Sequence, residues 1–397
     1  MAQFRGSRGL VPSRGVGLAP QFYFYNIFLC FFHGIDYFTE NVVKYMKRFF
    51  YTVVGFRYVL IMNTKILTAN QLDICAGIIK EGGIVAIPTE TVYGLAADAF
   101  NPTAINKIFT AKGRPNDNPL IVHISKKTHL TKVAADIPPI AHKYMEQFWP
   151  GPLTLVLKKH PALPAEALAG LPTVGVRLPD HPVALELISL CGPLVAPSAN
   201  LSGKPSPTTA WHVMDDLAGK IDAVVDAGPT NFGLESTVID AETGKILRPG
   251  AVTENCLSAV RPVFSGLSFT RKEINTPTAP GQKYTHYAPK AKTTLVVCKE
   301  PHKKILHLAS NTVNKKNLGI LTTDQNKHYY EQLGATVLSL GNRDNPQQMA
   351  TLLYSHLRQF DTKGVKHLFI EGFLENHGFY LTIMDRLIKA ASYDIVK

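Results

Sequence analysis

The stretch that decides the fold is ILTANQLDICAGIIKEGGIVAIP, residues 66–88. Thr68 and Gln71 have the spacing of a helix capping box, apolar residues then recur at helical intervals, and Gly82 is placed to end the helix. This spacing predicts a helix over 69–81. The apolar run 84–87 follows and is closed by Pro88, as expected for a strand buried on both faces. A helix that feeds a central strand is typical of an α/β protein.

The same alternation of helix and strand patterns continues along the chain. We expect further strands at 120–124, 153–158, 174–178, 194–196, 223–226 and 236–239, and helices near 102–111, 139–148, 182–190 and 208–217. One α/β domain over 62–263 holds all of these elements, and a Pro-rich linker follows at 264–292. Strands expected at 294–298, 318–322, 336–340 and 367–372, with helices near 346–360 and 379–392, predict a second, smaller doubly wound α/β domain over 293–397.

Residues 1–61 have a different composition from the rest of the chain. They carry seven basic and two acidic residues, a net charge of 7 − 2 = +5. The aromatic run PQFYFYNIFLCFF at 20–32 is shorter than the roughly 20 residues that a membrane helix needs, so we expect no membrane span. We interpret Met62 as the natural start and 1–61 as an upstream extension outside the fold; a targeting segment is the alternative.

Overall composition restricts the class of protein. Apolar residues make up 45% and charged residues 18% of the 397 positions, which excludes global disorder and fibrous architectures. The net charge of +12 suggests a polyanionic partner such as a nucleotide or RNA, with a merely basic soluble protein as the alternative. Five cysteines are scattered without a CxxC pair, so we expect neither a disulfide framework nor a zinc site, and a reducing, cytoplasmic compartment.

Two polar motifs follow the expected helix–strand unit. PTETVYGL at 88–95 comes directly after the buried strand, where ligands of α/β sheets bind, so its hydroxyls, including that of Thr89, point to a pocket; the alternative is an ordinary strand-to-helix turn. Lys112 and Arg114 flank a glycine and precede Pro115, which allows both cations to converge on one phosphate. The alternative is a solvated helix end. The chain has no GxxxxGK[ST] loop, so ATP would bind outside the P-loop manner.

Two further motifs lie later in the expected first domain. Thr173 and Arg177 share one face of a strand. A covered arginine needs an anion, either a substrate carboxylate or an internal Asp or Glu. In the second motif, Ser198 and Asn200 lie on one side of an extended segment, and Ser206 sits just before an expected helix start, a ready phosphate site.

Downstream, Ser236 adds a hydroxyl and Arg248 adds a cation. No Ser-His-Asp or Cys-His order accompanies these polar residues, so covalent catalysis is poorly supported. These cations and hydroxyls together are typical of a site that positions a phosphorylated substrate.

Taken together, these motifs resemble the threonylcarbamoyl-AMP synthase family with its YrdC-like domain. The motifs, in order, are PTETVYGL at 88–95, Lys112-x-Arg114-Pro115, DNPLIVHI at 117–124, WPGPLT at 149–154, TVGVRLPDHP at 173–182, PSANLSGKPSPT at 197–208, ESTV at 235–238 and LRPG at 247–250. PGQKYTHYAPKAK at 280–292 and IMDRLIKAAS at 383–392 resemble the linker and last helix of the long, two-domain form. The resemblance implies a twisted mixed sheet with helices.

The resemblance also implies a reaction and its partners. L-Threonine, bicarbonate and ATP, with Mg²⁺, would form threonylcarbamoyl-AMP and pyrophosphate. The enzyme would be a nucleotidyltransferase whose product passes to a tRNA threonylcarbamoyl transferase, with weak tRNA binding and no membrane. A double-stranded RNA-binding module and a carbamoyl transferase remain as rival interpretations, although the second normally carries zinc fingers and this chain has no CxxC pair.

Residue roles carry over from the family motif by motif. Lys112 and Arg114 would be the catalytic cations. ATP would be held by Lys112, Arg114, Ser198, Asn200, Ser206 and Arg248, together with Tyr284 and His286 of a linker that folds back as a lid. L-Threonine and the carbamate would be surrounded by Thr89, His123, Thr173, Arg177 and Ser236. The resemblance implies no protein ligands for a metal.

Overall fold

The computed structural model describes residues 64–263, 277, 286–310, 314–375 and 377–397. All of them belong to one compact unit, Met62–Lys397. The expectation of an upstream extension falls on residues 1–61, which lie outside the described residues, as does Tyr284 of the expected lid. No helix in these described ranges is long and apolar enough to cross a membrane.

The described residues alternate between helix and strand throughout. The strands are β1 Lys65–Thr68, β2 Val85–Ile87, β3 Gly94–Asp98, β4 Ile121–His123, β5 Leu153–Lys158, β6 Thr173–Arg177, β7 Leu194–Val195, β8 Ala223–Asp226, β9 Thr237–Asp240, β10 Ile246–Arg248, β11 Lys292–Val296, β12 Leu318–Thr322, β13 Thr336–Ser339, β14 His367–Glu371 and β15 Ile395–Val396. The α-helices are α1 Leu72–Lys80, α2 Pro102–Lys112, α3 Leu130–Val133, α4 Pro139–Phe148, α5 Ala165–Leu168, α6 Pro182–Cys191, α7 Ala210–Leu217, α8 Glu254–Ser258, α9 Pro301–Ser310, α10 Asp324–Lys327, α11 Pro346–Thr362 and α12 Gly378–Ala390.

The first sheet is mixed and has ten strands in the order β1-β8-β2-β3-β7-β4-β6-β5-β9-β10. Strand β2 is buried at all three positions, as its continuous apolar run predicts, and it pairs parallel with β8 and antiparallel with β3. Strands β4 and β6 are parallel neighbours, with His123 opposite Arg177 in the register. The mixed α/β architecture expected from the sequence is therefore confirmed.

The second sheet has five strands in the order β13-β12-β14-β11-β15. Every pair of neighbours in it is parallel. Parallel neighbours need crossover connections, and α9, α11 and α12 lie in the connections between its strands. This is the smaller parallel α/β sheet that the sequence predicts after the linker.

The expected first helix begins one turn later than its pattern indicates. Ala69–Gln71 form a 3₁₀ turn, and α1 continues from Leu72. The capping box forms, because the Thr68 backbone N–H donates to Gln71 Oε1 at 3.0 Å. The cap thus fixes where the chain turns from β1 into the helix.

The interpretation of PTETVYGL as a strand-to-helix turn is wrong. The segment joins β2 to β3, which pairs antiparallel with β2 through Val85 opposite Ala96. The sequence of β3, GLAAD, is rich in small residues with low strand propensity. Burial on the sheet interior, with Leu95 and Ala96 both 0% exposed, overrides that propensity.

The two sheets share one apolar cluster. Val92 and Leu234 from the first-sheet region pack in the same buried group as Tyr287 of the linker and Leu353 and Tyr354 of α11. The C-terminal sheet's helices therefore form part of the wall around the loops that follow β2 and β8.

Candidate active site

A cavity with about 680 Å³ of empty space, its mouth included, lies among the loops of the first sheet, against the linker. It is lined by Thr89, Thr91, Val92, Gly94, Arg114, Ile121, His123, Arg177, Ala196, Pro197, Ser198, Asn200, Lys204, Ser206, Glu235, Ser236, Arg248, His286 and Tyr287.

The topology explains why distant motifs meet here. Strands β4 and β6 run parallel, so His123 and Arg177, at their carboxyl ends, lie side by side. The segment after β7 pairs back onto β3 through a bridge between Ser198 and Gly94. Ten of the thirteen residues to which the sequence assigned roles, His286 among them, line the cavity. Lys112 and Thr173 do not line it, and Tyr284 lies outside the described part of the chain.

Arg177 has an internal acid as its partner. Its Nη2 lies 2.6 Å from Glu90 Oε2, and the two side chains are 5% and 2% exposed. Its Nη1 donates to Thr91 Oγ1 at 3.0 Å and its Nε to the Gly151 carbonyl at 3.3 Å. Of the two anions left open by the sequence, Glu90 is the one present in the structure, and it fixes the guanidinium at the cavity wall.

His123 is held as a neutral imidazole. It is 3% exposed, and burial first, then the neighbouring Arg177, lowers its pKa from 6.5 to about 3. Its Nδ1 lies 3.2 Å from the Ile121 carbonyl. A neutral ring beside Arg177 can hydrogen-bond a polar substrate without adding charge.

Lys112 lies behind the cavity wall, with its side chain 2% exposed. Its ammonium donates to the Asn200 carbonyl at 2.6 Å and also to the Ser198 carbonyl. Burial, followed by repulsion from Arg114, lowers its pKa well below the usual value. Lys112 therefore anchors the Ser198–Asn200 segment in this structure, and only Arg114 of the two expected cations faces the cavity.

The end of α2 sets the direction of Arg114. Gly113 takes the left-handed conformation with φ +59° and caps the helix. Arg114 Nη2 then donates to the Asn118 and Pro119 carbonyls, each at 3.2 Å. The guanidinium is thereby aimed into the cavity from the rim of the helix end.

Ser206 precedes α7, as expected, but another residue caps the helix. The cap of α7 is Thr209, whose hydroxyl accepts from the His212 backbone N–H at 3.2 Å. Ser206 is 1% exposed, and its hydroxyl donates to Glu235 Oε1 at 2.5 Å. The helix begins at Ala210, two residues later than expected, because Thr209 is its cap and accepts one of its first N–H groups.

Ser236 and Arg248 form one unit across β9 and β10. Arg248 Nη2 donates to the Ser236 carbonyl at 2.8 Å and to its hydroxyl at 3.1 Å. The Ser236 hydroxyl also lies 2.8 Å from Thr154 Oγ1. The cation is buried, at 6% exposed, so these contacts hold it at one place on the cavity wall.

Thr89 and Asn200 use their side chains within their own loops. Thr89 Oγ1 donates to the Val92 carbonyl at 2.6 Å, which closes the turn after β2. Asn200 Nδ2 donates to the Lys204 carbonyl at 2.9 Å.

Thr173 lies away from the cavity. It begins β6, four residues before Arg177, which is about 13 Å along the strand.

The linker reaches the cavity at His286 and Tyr287. Burial, then repulsion from Arg114, lowers the pKa of His286 from 6.5 to about 3. The Tyr287 ring stacks on that of Tyr354, with centroids 5.2 Å apart. The next backbone N–H, of Ala288, donates to the Gly203 carbonyl at 2.9 Å. This end of the linker thus closes over the loop that holds Ser206.

Sequence reasoning missed four polar residues around the cavity: Glu90, Glu235, Tyr354 and Arg386. Glu90 lies inside the motif PTETVYGL and Glu235 inside the motif ESTV. Each is the one charged residue of its motif, which could have indicated a role in the site. Tyr354 and Arg386 lie in the C-terminal domain, more than a hundred residues from their partners in the chain.

A cavity on a mixed α/β sheet that is lined by Arg114, Arg177 and Arg248 is suited to binding anionic small molecules. The model of the Sua5/YciO/YrdC family, described as "Telomere recombination", matches residues 77–250. A second model, described as "Threonylcarbamoyl-AMP synthase, C-terminal domain", matches residues 252–392.

Two similar proteins and one solved structure agree with these matches. Threonylcarbamoyl-AMP synthase of Bacillus subtilis is 44% identical over 335 residues, which cover 82% of this chain and 94% of that protein. The protein of the same name from Pyrococcus abyssi is 42% identical over 344 residues, with 82% and 96% covered. The crystal structure of Pyrococcus abyssi Sua5 complexed with L-threonine has a TM-score of 0.77 at 40% identity and covers 84% of this chain and 98% of that one.

The chain belongs to the threonylcarbamoyl-AMP synthase family. The family expected from the motifs is confirmed, and so is the class, an enzyme that uses ATP to make an adenylate.

Proposed function

We propose that this cavity joins L-threonine, bicarbonate and ATP into threonylcarbamoyl-AMP and releases pyrophosphate. One observation carries the proposal. The cavity places a neutral imidazole and an arginine, His123 and Arg177, at the ends of β4 and β6, while Arg114, Arg248 and Ser206 lie on other loops of the same wall. A small amino acid and a nucleotide can therefore be held side by side.

The threonine end of the site is formed around β4 and β6. Arg177 keeps its guanidinium at the wall through Glu90, so an amino-acid carboxylate would approach a cation that is already oriented. Thr89, His123 and Ser236 line the adjoining surface, and they would contact the amine, the hydroxyl and the carbamate. The crystal structure of Pyrococcus abyssi Sua5 is a complex with L-threonine, which supports threonine as the amino acid bound.

The nucleotide end combines two arginines with polar side chains of one loop. Arg114 and Arg248 would pair with phosphate oxygens, and Ser198, Asn200 and Ser206 would contact the nucleotide from the loop after β7. Lys112 would act chiefly by fixing that loop through the two carbonyls that it contacts. Its catalytic role is thus proposed as one of holding the phosphate-binding segment in place.

The reaction needs positioning and neutralisation of charge. The amine of threonine adds to the carbon of bicarbonate, water leaves, and a carbamate results. A carbamate oxygen then attacks the α-phosphorus of ATP while the bond to the β-phosphate oxygen breaks and pyrophosphate leaves. Such transfers depend on in-line geometry and cationic contacts, with no covalent enzyme intermediate.

Magnesium enters the proposal as part of the ATP substrate. The described residues contain no group of three or more His, Cys, Asp or Glu side chains that could hold a metal ion. The cavity carboxylate Glu235 already accepts from Ser206, Tyr354 and Arg386. Mg²⁺ binds readily through phosphates and water, so we place it on the triphosphate and derive no step through protein ligands.

The remaining features complete the proposal. We propose that residues 264–292, with Tyr284 and His286, would act as a lid, and that they join a catalytic domain over 62–263 to a C-terminal domain over 293–397. The enzyme works in the cytoplasm and passes its product to a tRNA threonylcarbamoyl transferase, aided by weak contact with tRNA. The net charge of +12 supports a polyanionic partner.

The test is pyrophosphate release measured with each substrate omitted in turn. We expect release from ATP only when L-threonine, bicarbonate and the protein are all present. Serine in place of threonine serves as the specificity control. Release that is unchanged without threonine or without bicarbonate would overturn the proposal.

A further inference from the structure

Glu235 is a buried carboxylate in the cavity wall, between residues that we assign to the nucleotide. It is 6% exposed, and its Oε1 accepts the Ser206 hydroxyl at 2.5 Å. The next residue, Ser236, is the one that Arg248 contacts. Burying a carboxylate costs free energy unless cations and hydrogen-bond donors surround it. The residues that supply those donors therefore help to order the site.

Two of the partners come from the C-terminal domain. Tyr354 of α11 donates its hydroxyl to Glu235 Oε2 at 2.9 Å. Arg386 of α12, which is 0% exposed, donates from Nε to Glu235 Oε2 at 3.0 Å. The carboxylate thus joins Ser206 of the first domain to two helices of the second.

Arg386 makes further contacts with the same wall. Its Nη2 donates to the Pro249 carbonyl at 2.9 Å, next to Arg248, and its Nη1 contacts Asp385. Its guanidinium carbon lies 5.3 Å from the centroid of the Tyr287 ring. The planar fork of one arginine therefore ties together ESTV, LRPG and the linker, which a lysine cannot do at the same distances.

We propose that Arg386 is a positioning residue of the nucleotide site, which holds Glu235 as a carboxylate and so orients Ser206 and Arg248 toward ATP. The proposal rests on the proposed function for the identity of the nucleotide. It extends that function by assigning a residue of the C-terminal domain to the binding of ATP.

The charges around Glu235 give the proposal a pH signature. Burial alone would raise its pKa, but Arg386, then Arg248, then the Ser206 hydroxyl hold the pKa below the usual value. Tyr354 and Tyr287 also face it, and Asp385 and His286 lie in the same group. Removal of Arg386 takes away the largest of these lowering interactions, so the carboxyl gains a proton at a higher pH than in the wild type and holds the Ser206 hydroxyl less firmly.

The experiment uses the full chain with Arg386→Met, Glu235→Gln and the double variant. The readouts are the dissociation constant for ATP without the other substrates, and kcat and KM for ATP between pH 5.5 and 8.5. For Arg386→Met we expect ATP binding to weaken about 10- to 100-fold, as for loss of hydrogen bonds to a charged group. A new acid limb should appear in kcat/KM, and it should be absent from the double variant.

Arg343→Met is the matched control. Arg343 also lies in the C-terminal domain and pairs with an acid, Glu375, at 2.9 Å, but it does not line the cavity. We expect it to leave ATP affinity and the pH profile unchanged. If Arg386→Met fails to fold, Arg386→Lys decides, with a weakened ATP affinity and no new acid limb expected.

Two results overturn the proposal. One is an unchanged ATP affinity in Arg386→Met, or in Arg386→Lys where that variant has to decide. The other is a loss of affinity in Arg386→Met that is equal at every pH and additive with Glu235→Gln. Because ATP binding is measured apart from turnover, a wild-type chain that binds ATP but makes no adenylate would refute the proposed function and leave the effect of Arg386 measurable.

Discussion

Replacing Lys112 by methionine tests how the cavity wall is held. Methionine keeps much of the apolar stem and removes the ammonium, which donates to the Ser198 and Asn200 carbonyls from a side chain that is 2% exposed. Each carbonyl left without a donor costs about 1–3 kcal/mol, so the two together cost about 2–6 kcal/mol. Since 1 kcal/mol shifts Tm by about 2–4 °C in domains of 150–250 residues, we expect a fall of roughly 5–20 °C.

The same substitution should also lower the rate of catalysis in the fraction of the protein that stays folded. The Ser198–Asn200 segment lines the cavity, and loss of its anchor displaces the groups that we assign to ATP. Loss of about 2–4 kcal/mol of transition-state stabilisation corresponds to a rate lower by about 30- to 1000-fold. The assay is pyrophosphate release at 25 °C, well below the expected Tm of the variant, with Tm followed by calorimetry.

Lys107→Met is the matched control for this prediction. Lys107 lies on the same helix, α2, and its Nζ donates to one carbonyl, that of Gly82, at 2.7 Å. It is exposed and does not line the cavity. We expect nearly normal turnover from it. If Lys112→Met kept both the Tm and the turnover of the wild type, the anchoring role would be refuted.

Four other outcomes are expected. Arg114 lies in the cavity wall, and Arg114→Ala should lower the rate of adenylate formation by about 30- to 1000-fold with Tm little changed, because one charge-assisted contact is lost. Near-normal turnover would contradict the assignment of Arg114 to a phosphate. A chain that begins at Met62 should be folded and fully active, as solubility and turnover will show, and failure of either would place residues 1–61 in the structure. A chain cut at about residue 263 should use more ATP per product recovered, or show a higher KM for ATP, because a closing segment protects a mixed anhydride from water; unchanged values would make the linker a passive tether. Folding lowers the pKa of His123 and of His286 to about 3, so between pH 7 and pH 5 the unfolded chain takes up protons that the folded chain does not. The free energy of unfolding should therefore fall by about 1–2 kcal/mol per group over that range. Urea titrations that show no fall would contradict this.

The sequence predicts the sheets better than it predicts what lies between them. The apolar run after Gly82 fixes β2, because four consecutive apolar residues have no favourable exposed face. Strand β3, by contrast, is built from GLAAD, and its placement depends on pairing with β2 and β7, which is not visible in local pattern. Tertiary pairing decides such strands.

In the candidate site, too, the sequence predicts some features and tertiary contacts decide others. Motif spacing brings ten expected residues to one cavity, because the loops that follow neighbouring strands meet at one side of the sheet. It does not show that Arg177 would pair with Glu90, since an ion pair is a matter of side-chain reach across strands. It also does not predict Lys112, whose helix end turns its ammonium to the loop carbonyls.

The contribution of the C-terminal domain lies beyond local reasoning altogether. Arg386 and Glu235 are 151 positions apart in the chain. IMDRLIKAAS reads as an ordinary amphipathic helix, and nothing in its spacing singles out one arginine. Only the packing of α12 against the first domain shows that this side chain reaches the cavity wall.

The most direct test of the central claim is to follow the carbon of bicarbonate. The full chain is incubated with ATP, L-threonine and ¹³C-bicarbonate, and the nucleotides are analysed at once by mass spectrometry. We predict an AMP conjugate that carries one threonine and one ¹³C atom, formed together with pyrophosphate and absent when any one substrate is left out. AMP and pyrophosphate without a labelled conjugate, or a conjugate that lacks the label, would contradict the account.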